Sequence, residues 1–255
     1  MHKYRYLSQA KFMEFAHRGG AESDICENTL QAFKAAFDVG FRNFELDIRA
    51  SSDGYVFVCH DNNLKRLLDQ NLYLSRLRAR DIRKLRLYGN QSIPLLSEVL
   101  EEFPEAQLNI DAKAWSVVNP LCKVISATHS YDRICITSFN DFRTNLIVRK
   151  LDQPVCFGLG VYGVSYLYLN FLLNRKQRFK AGCVQLPTQS LGIELLTPEF
   201  IRFAQECDLR VHAWTINDRD TINQLIKAGV DGIMTDRCNL LKSVLTEQGI
   251  WQQSF

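Results

Sequence analysis

Glu45 and Asp47 stand two residues apart in the segment Asn43 to Arg49, NFELDIR. In a strand, residues i and i+2 share a face. Phe44, Leu46 and Ile48 then point one way and the two carboxylates the other. Two carboxylates a few ångströms apart repel each other unless a cation sits between them. An isolated pair of this kind reads as the solvated face of an edge strand. This pair has company: His17-Arg18-Gly19-Gly20 lies upstream, and His60-Asp61 and Asp111-x-Lys113 lie downstream. Each group falls at the end of its own predicted strand.

Glu45, Asp47 and Asp111 offer hard oxygen ligands, which suit Mg²⁺ or Ca²⁺ better than zinc. A hard divalent ion polarises phosphoryl oxygens and offsets developing negative charge. Arg18 and Lys113 add positive charge against a phosphate. His17 and His60 can divide the proton transfers, one activating the nucleophile and one protonating the leaving oxygen. A lone histidine is as readily a satisfied core residue, but these two flank a carboxylate cluster. His2, His129 and His212 have no such company, and His212, on a strand between Val211 and Ala213, has no assigned role.

The elements that must hold these residues alternate strand and helix. Parallel-type strands are expected to begin near residues 12, 43, 107, 133, 154, 182, 209 and 230, most followed by a helix. Asn28 or Thr29 can cap the first helix and Gly40 stops it. Tyr55 to Cys59 reads as a hairpin strand after the Asp53-Gly54 turn, and Arg76 to Arg86 as a helix with a solvated basic face. Such alternation implies right-handed crossovers and a parallel sheet. Eight units in 255 residues match an α/β chain folded as a (β/α)8 TIM barrel, with a short inserted hairpin and loop region after the second strand. The whole chain, 1–255, is then one domain. An open doubly wound sheet is the alternative, but no Gly-x-Gly-x-x-Gly follows the first strand. In a barrel the active site lies at the C-terminal strand ends, where His17, Glu45, Asp47, Asp111, Lys113 and Trp214 all fall.

Composition narrows the classes further. At 46% hydrophobic and 23% charged, the chain has material for a substantial core. A net charge of +3 is too small to argue for nucleic acid, and no nucleic-acid-binding signature is present. The eight cysteines are scattered singly; the lack of a CxxC pair argues against zinc. Cys59, Cys135, Cys156 and Cys183 fall in or beside apolar strands, where a thiol packs as a small hydrophobe. Met1 to Lys11 has no apolar core of a signal peptide, and with reduced thiols this favours the cytoplasm. No apolar run reaches the ~20 residues of a membrane span. Val161 to Leu173, followed by Arg175, Lys176, Arg178 and Lys180, reads as a buried barrel helix with a basic end. The alternative for 161–180 is a segment lying on a membrane surface.

The chain resembles the glycerophosphodiester phosphodiesterase family. The matching residues are His17-Arg18-Gly19, Glu27-Asn28-Thr29, Glu45-x-Asp47, Asp53-Gly54, His60-Asp61, Asp111-x-Lys113, Trp214-Thr215-Ile216-Asn217 and Gly229 to Asp236. They run in family order over residues 12–247. The resemblance implies a TIM-type barrel that hydrolyses glycerophosphodiesters, small-molecule substrates, to an alcohol and glycerol 3-phosphate. It implies His17 and His60 as the acid-base pair and Glu45, Asp47 and Asp111 as ligands of a divalent ion. Arg18 and Lys113 then contact phosphate, Trp214 walls the substrate, and Glu27 and Asn28 support the first loop. There are departures: Cys26 stands where the family usually has Pro, the loop from His17 to Glu27 is one residue longer than its commonest form, and the third carboxylate, often Glu, is Asp111. Other readings are a lysophospholipase D-type enzyme, a relative releasing a cyclic phosphate, a non-catalytic phosphodiester-binding barrel, or a barrel aldolase or isomerase. The last lacks a strand-end lysine in an apolar pocket.

Overall fold

The computed structural model describes residues 3–8, 11–22 and 26–251. Its strands are β1 (Met13–His17), β2 (Asn43–Ala50), β3 (Val56–Val58), β4 (Gln107–Ala112), β5 (Ile134–Thr137), β6 (Cys156–Phe157), β7 (Cys183–Leu186), β8 (Gln189–Ser190), β9 (Ile193–Glu194), β10 (Arg210–Ala213) and β11 (Gly232–Thr235). Eight of them form a parallel ring in the order β6-β5-β4-β2-β1-β11-β10-β7, and a bridge between Gly158 and Cys183 spans the seam from β6 to β7. The expected (β/α)8 barrel is therefore the fold. The inserted strand β3 pairs antiparallel with the end of β2, Ile48 opposite Val58.

The helices are α1 (Leu30–Val39), α2 (Lys65–Leu68), α3 (Ala79–Ile82), α4 (Leu96–Glu102), α5 (Val118–Thr128), α6 (Asp141–Lys150), α7 (Val161–Leu172), α8 (Pro198–Glu206), α9 (Arg219–Ala228) and α10 (Cys238–Glu247). Their starts are set by side chains that accept otherwise unpaired backbone N–H groups: Thr29 for α1, Asn140 for α6, Thr197 for α8 and Asp218 for α9. Gly40, at φ 113°, ends α1 as expected.

The strand alternation divides the core in two. Phe44, Leu46 and Ile48 of β2 and Leu108, Ile110 and Ala112 of β4 pack outward among the helices. The lumen holds a second cluster, with Met13, Phe15, Cys135, Cys156, Cys183 and Met234 covered below by Tyr6 and Leu7. A third cluster, including Phe57, Leu64, Leu74 and Ile82, seals the inserted segment against the barrel.

Three expectations change. Arg76 to Arg86 is helical only over α3, with a 3-10 turn ending at Arg76 before it and a turn after it. The loop after β7 carries a small hairpin, β8–β9. Helix α7 is not a buried helix. Leu167 and Asn170 are its buried residues, while Val161, Tyr162, Tyr166, Leu169 and Leu172 are exposed. Its hydrophobicity exceeds what the barrel covers. His2 and the loop residues 23–25 lie outside the described residues.

Candidate active site

Strand register assembles the carboxylates. β1 and β2 place His17 beside Glu45, and β2 and β4 place Asp47 beside Asp111. All three carboxylates are buried. The Lys113 ammonium lies 2.8 Å from Asp47 and 2.6 Å from Asp111, bridging them. On the other side, the Arg18 guanidinium lies 3.1 Å from Asp47 and donates to Glu27 at 3.0 Å, and the Arg18 backbone N–H donates to Glu45 at 3.1 Å. The Asn28 amide donates to Asp47 at 2.9 Å. The first loop makes this possible through Gly19, at φ 88°, where a Cβ would meet Ala32 Cβ at 2.7 Å. Only glycine lets the loop pass α1 so closely.

Both histidines are held by carboxylates. His17 Nδ1 lies 2.7 Å from Asp236, and its Nε2 lies 3.8 Å from Glu45. Asn217 in turn donates to Asp236 at 2.7 Å and accepts the Asp236 backbone N–H at 2.9 Å. His60 Nδ1 lies 2.7 Å from Asp61, which accepts from Arg66 at 2.6 Å. Arg66 also donates to Glu27 at 2.6 Å, so Glu27 ties the His60 loop to Arg18. Asp236, Asn217 and Arg66 hold the two histidines and their loops in place, and strand-end reading did not single them out as site residues. The Trp214-Thr215-Ile216-Asn217 and Gly229-to-Asp236 segments contained the signal for two of them. Arg66 carried none, because its reach depends on how the insertion folds.

His17, Arg18, Glu45, Asp47, His60, Asp111, Lys113 and Trp214 line one cavity of about 450 Å³. Glu27 and Asn28 stand behind it. Trp214 meets Phe139 edge-on, ring centres 5.9 Å apart. The outer wall is apolar, with Leu159, Val161, Val164, Leu191 and Leu195.

The electrostatics show a surplus of negative charge. Burial and the Asp47 carboxylate push Glu45 up to about 7. Burial also raises Asp111, and Lys113 only partly opposes it. Asp47 is lowered: burial acts upward, but Lys113 and Arg18 outweigh it. For His17, burial acts downward, yet Glu45 and Asp236 together raise its pKa. An oxygen-only donor set with one carboxyl pushed toward neutrality is the chemistry a hard cation relieves. In this conformation the Lys113 ammonium supplies that charge for Asp47 and Asp111.

A parallel barrel with acidic, basic and imidazole groups gathered at the C-terminal strand ends has the place and the residue types of a barrel enzyme's active site. The model of the glycerophosphoryl diester phosphodiesterase family matches residues 17–240. "Probable glycerophosphodiester phosphodiesterase 2" of Mycobacterium tuberculosis is 34% identical over 251 residues, covering 96% of this chain and 95% of that one. The chain belongs to the glycerophosphoryl diester phosphodiesterase family. A human lysophospholipase D is 28% identical, covering 95% of this chain and 88% of its own length. Among solved structures, a glycerophosphodiester phosphodiesterase of Agrobacterium tumefaciens superposes with a TM-score of 0.77 at 19% identity, covering 92% of this chain and 99% of that one. An Oleispira antarctica phosphodiesterase in complex with the product sn-glycerol-3-phosphate has the same TM-score and identity, covering 92% and 96%. At that identity the likeness is one of fold.

Proposed function

We propose that the chain hydrolyses glycerophosphodiesters to an alcohol and glycerol 3-phosphate, as one catalytic barrel. The carrying observation is that two carboxylate-held histidines line the same cavity as Glu45, Asp47, Asp111, Arg18 and Lys113. With Nδ1 occupied in each ring, the proton that moves is the one at Nε2. One imidazole takes the proton of the attacking water and the other gives a proton to the leaving alcohol oxygen, each step contributing ~10²–10⁴-fold. Asp236 and Asp61 fix ring orientation and offset the imidazolium charge. Arg18 holds a phosphate oxygen, Trp214 walls the glycerol or leaving group, and Glu27 and Asn28 brace the loop that carries Arg18.

Glu45, Asp47 and Asp111 would hold a divalent ion, Mg²⁺ or Ca²⁺, which when bound supplies charge neutralisation on the phosphoryl group. Lys113 competes for two of these carboxylates, so its ammonium and the ion share one anionic site. The test is a coupled glycerol 3-phosphate assay over a panel of diesters, with EDTA and with each ion restored. Activity is expected to vanish in EDTA and return with one of the ions, and full activity in EDTA would overturn the metal assignment. His17→Ala and His60→Ala are each expected to lose ~10²–10⁴-fold in kcat. Hydrolysis undiminished in both variants would mean that it does not arise at this site, and would revive the reading of a non-catalytic binding barrel. Phosphorus NMR of the product separates hydrolysis from release of a cyclic phosphate.

A second reading concerns the alcohol. The apolar outer wall runs into α7, and Leu191 at the cavity mouth is 99% exposed. This supports a lysophospholipid as substrate, with segment 161–180 against a membrane or micelle surface and its basic residues near anionic headgroups. No helix among the described residues is long and apolar enough to cross a membrane.

A further inference from the structure

The four strands on the far side of the barrel from Glu45 bring sulfur and nitrogen together in the lumen. Cys135 and Cys156 are direct partners across β5 and β6. The seam bridge sets Cys183 at the end of β6, and β10 lies alongside β7. Val184 and Val211 pack outward among the helices. Their neighbours Cys183 and His212 therefore face inward. The three sulfurs all lie within 4.8 Å of one another, with Cys135 and Cys183 at 3.7 Å. None of the three cysteines is more than 1% exposed.

His212 supplies the second observation. It is fully buried beside the Cys183 thiol, outside the 4.8 Å group of the three sulfurs, and neither ring nitrogen has a hydrogen-bond partner among the described residues, so the ring must close in by a small shift to ligate. The buried Tyr6 hydroxyl beneath the same cluster is also unpartnered. A buried polar atom left unpaired costs about 1–3 kcal/mol, and such atoms are rare in folded proteins.

We propose that Cys135, Cys156, Cys183 and His212 form a closed zinc site inside the barrel, separate from the active site. Three sulfurs and one imidazole nitrogen are a recurrent structural zinc set, with Zn–S near ~2.3 Å. In a tetrahedron that bond length puts sulfurs ~3.8 Å apart, close to the Cys135–Cys183 separation. On binding, the thiols become thiolates and their protons leave to solvent. Three thiolates and Zn²⁺ carry one net negative charge. Gln185 already donates to Cys183 at 3.9 Å, and the free Tyr6 O–H is available to a second sulfur. Four protein ligands leave no open position, so the site ties four strands together and does no chemistry.

The two metal sites differ in kind. The upper one offers only hard oxygens; the lower one offers sulfur and nitrogen. Between them lies the Asn109–Gln185 pair, hydrogen-bonded at 2.8 Å, whose residues also line the active-site cavity. Tyr6 and Leu7 close the lumen from below. Zinc held there exchanges slowly, entering as the barrel folds.

Elemental analysis of the purified, reduced protein tests this. The expected result is one zinc per chain that survives dialysis against EDTA. Cys183→Ser and His212→Ala are expected to lose it, and Asp47→Asn to keep it. Refolding the wild type with Co²⁺ is expected to give the thiolate charge-transfer and strong visible bands of a tetrahedral site, a reading that does not depend on any variant folding. A folded wild type free of zinc that shows no such bands with Co²⁺ overturns the proposal. So does zinc that stays in Cys183→Ser and leaves with Asp47→Asn.

Discussion

In the proposed mechanism, Asp236 decides which nitrogen of His17 moves a proton. Its carboxylate holds Nδ1 at 2.7 Å, leaving Nε2 toward the cavity, and Asn217 holds the carboxylate in turn. Asp236→Asn removes the charge that favours the imidazolium and lets the ring adopt either tautomer. We expect kcat to fall by ~10²–10⁴-fold, the scale of a lost acid-base step, with KM little changed and the His17 limb of the pH profile displaced to lower pH, because the Asp236 charge raises the His17 pKa. Steady-state kinetics across pH distinguish this from a folding defect, which would lower the active fraction without moving the profile. At this same scale the cysteines show what spacing conceals. Cys135, Cys156 and Cys183 are scattered singly along the chain, and the expectation of independent packing was reasonable. They meet only because their strands are neighbours in a ring.

At the scale of elements, β1 carries a buried acid as well as His17. Glu14 lies at its start, accepting from the Asn43 amide at 3.3 Å, and burial pushes its carboxyl up to about 7 against opposing backbone hydrogen bonds. A folded-state pKa above the unfolded value, 4.5, means the folded protein binds the proton more tightly. The stability this contributes is full below about pH 4.5 and is lost as pH rises through about 7. At ~1.4 kcal/mol per unit, the loss is on the order of 3 kcal/mol. Glu14→Gln keeps the shape and removes the titration. In urea melts it should match wild type near pH 5 and exceed it near pH 8.5 by ~2–3 kcal/mol. An equal difference at both pH values would exclude the assignment. Helix α7 shows the limit of pattern reading at this scale. Its apolar run was expected to be buried, yet a barrel helix is covered on one side only, and the run is apolar all round.

Across the whole molecule, exposed apolar residues gather at one rim of the cavity mouth. Tyr162 on α7 and Leu191 between β8 and β9 both stand out from the surface. Burying a side chain such as Leu is worth ~1.5–3 kcal/mol, and 1.4 kcal/mol is tenfold in an equilibrium. If this rim meets a lipid surface, Leu191→Asp combined with Tyr162→Glu should lose about tenfold or more on micellar lysophospholipid and stay near wild type on a water-soluble glycerophosphodiester. Equal losses on both substrates would remove the lipid reading and leave the rim as part of the cavity wall.

The amino-acid sequence alone determined the barrel and the residues around its mouth. Strand periodicity, helix caps and turn glycines are local, and each reports its own few residues. Eight such units admit few topologies, and those place every strand-end residue at one rim. Hence the placement of His17, Glu45, Asp47, His60, Asp111 and Lys113 at the cavity is legible in the sequence. What only the tertiary structure decided depends on register and on which strands are neighbours. Lys113 between Asp47 and Asp111, Asp236 behind His17, and Arg66 reaching Glu27 from the insertion all join residues distant in sequence. So does the meeting of three thiols in the lumen. No local pattern encodes such contacts, because they form only when the ring comes together.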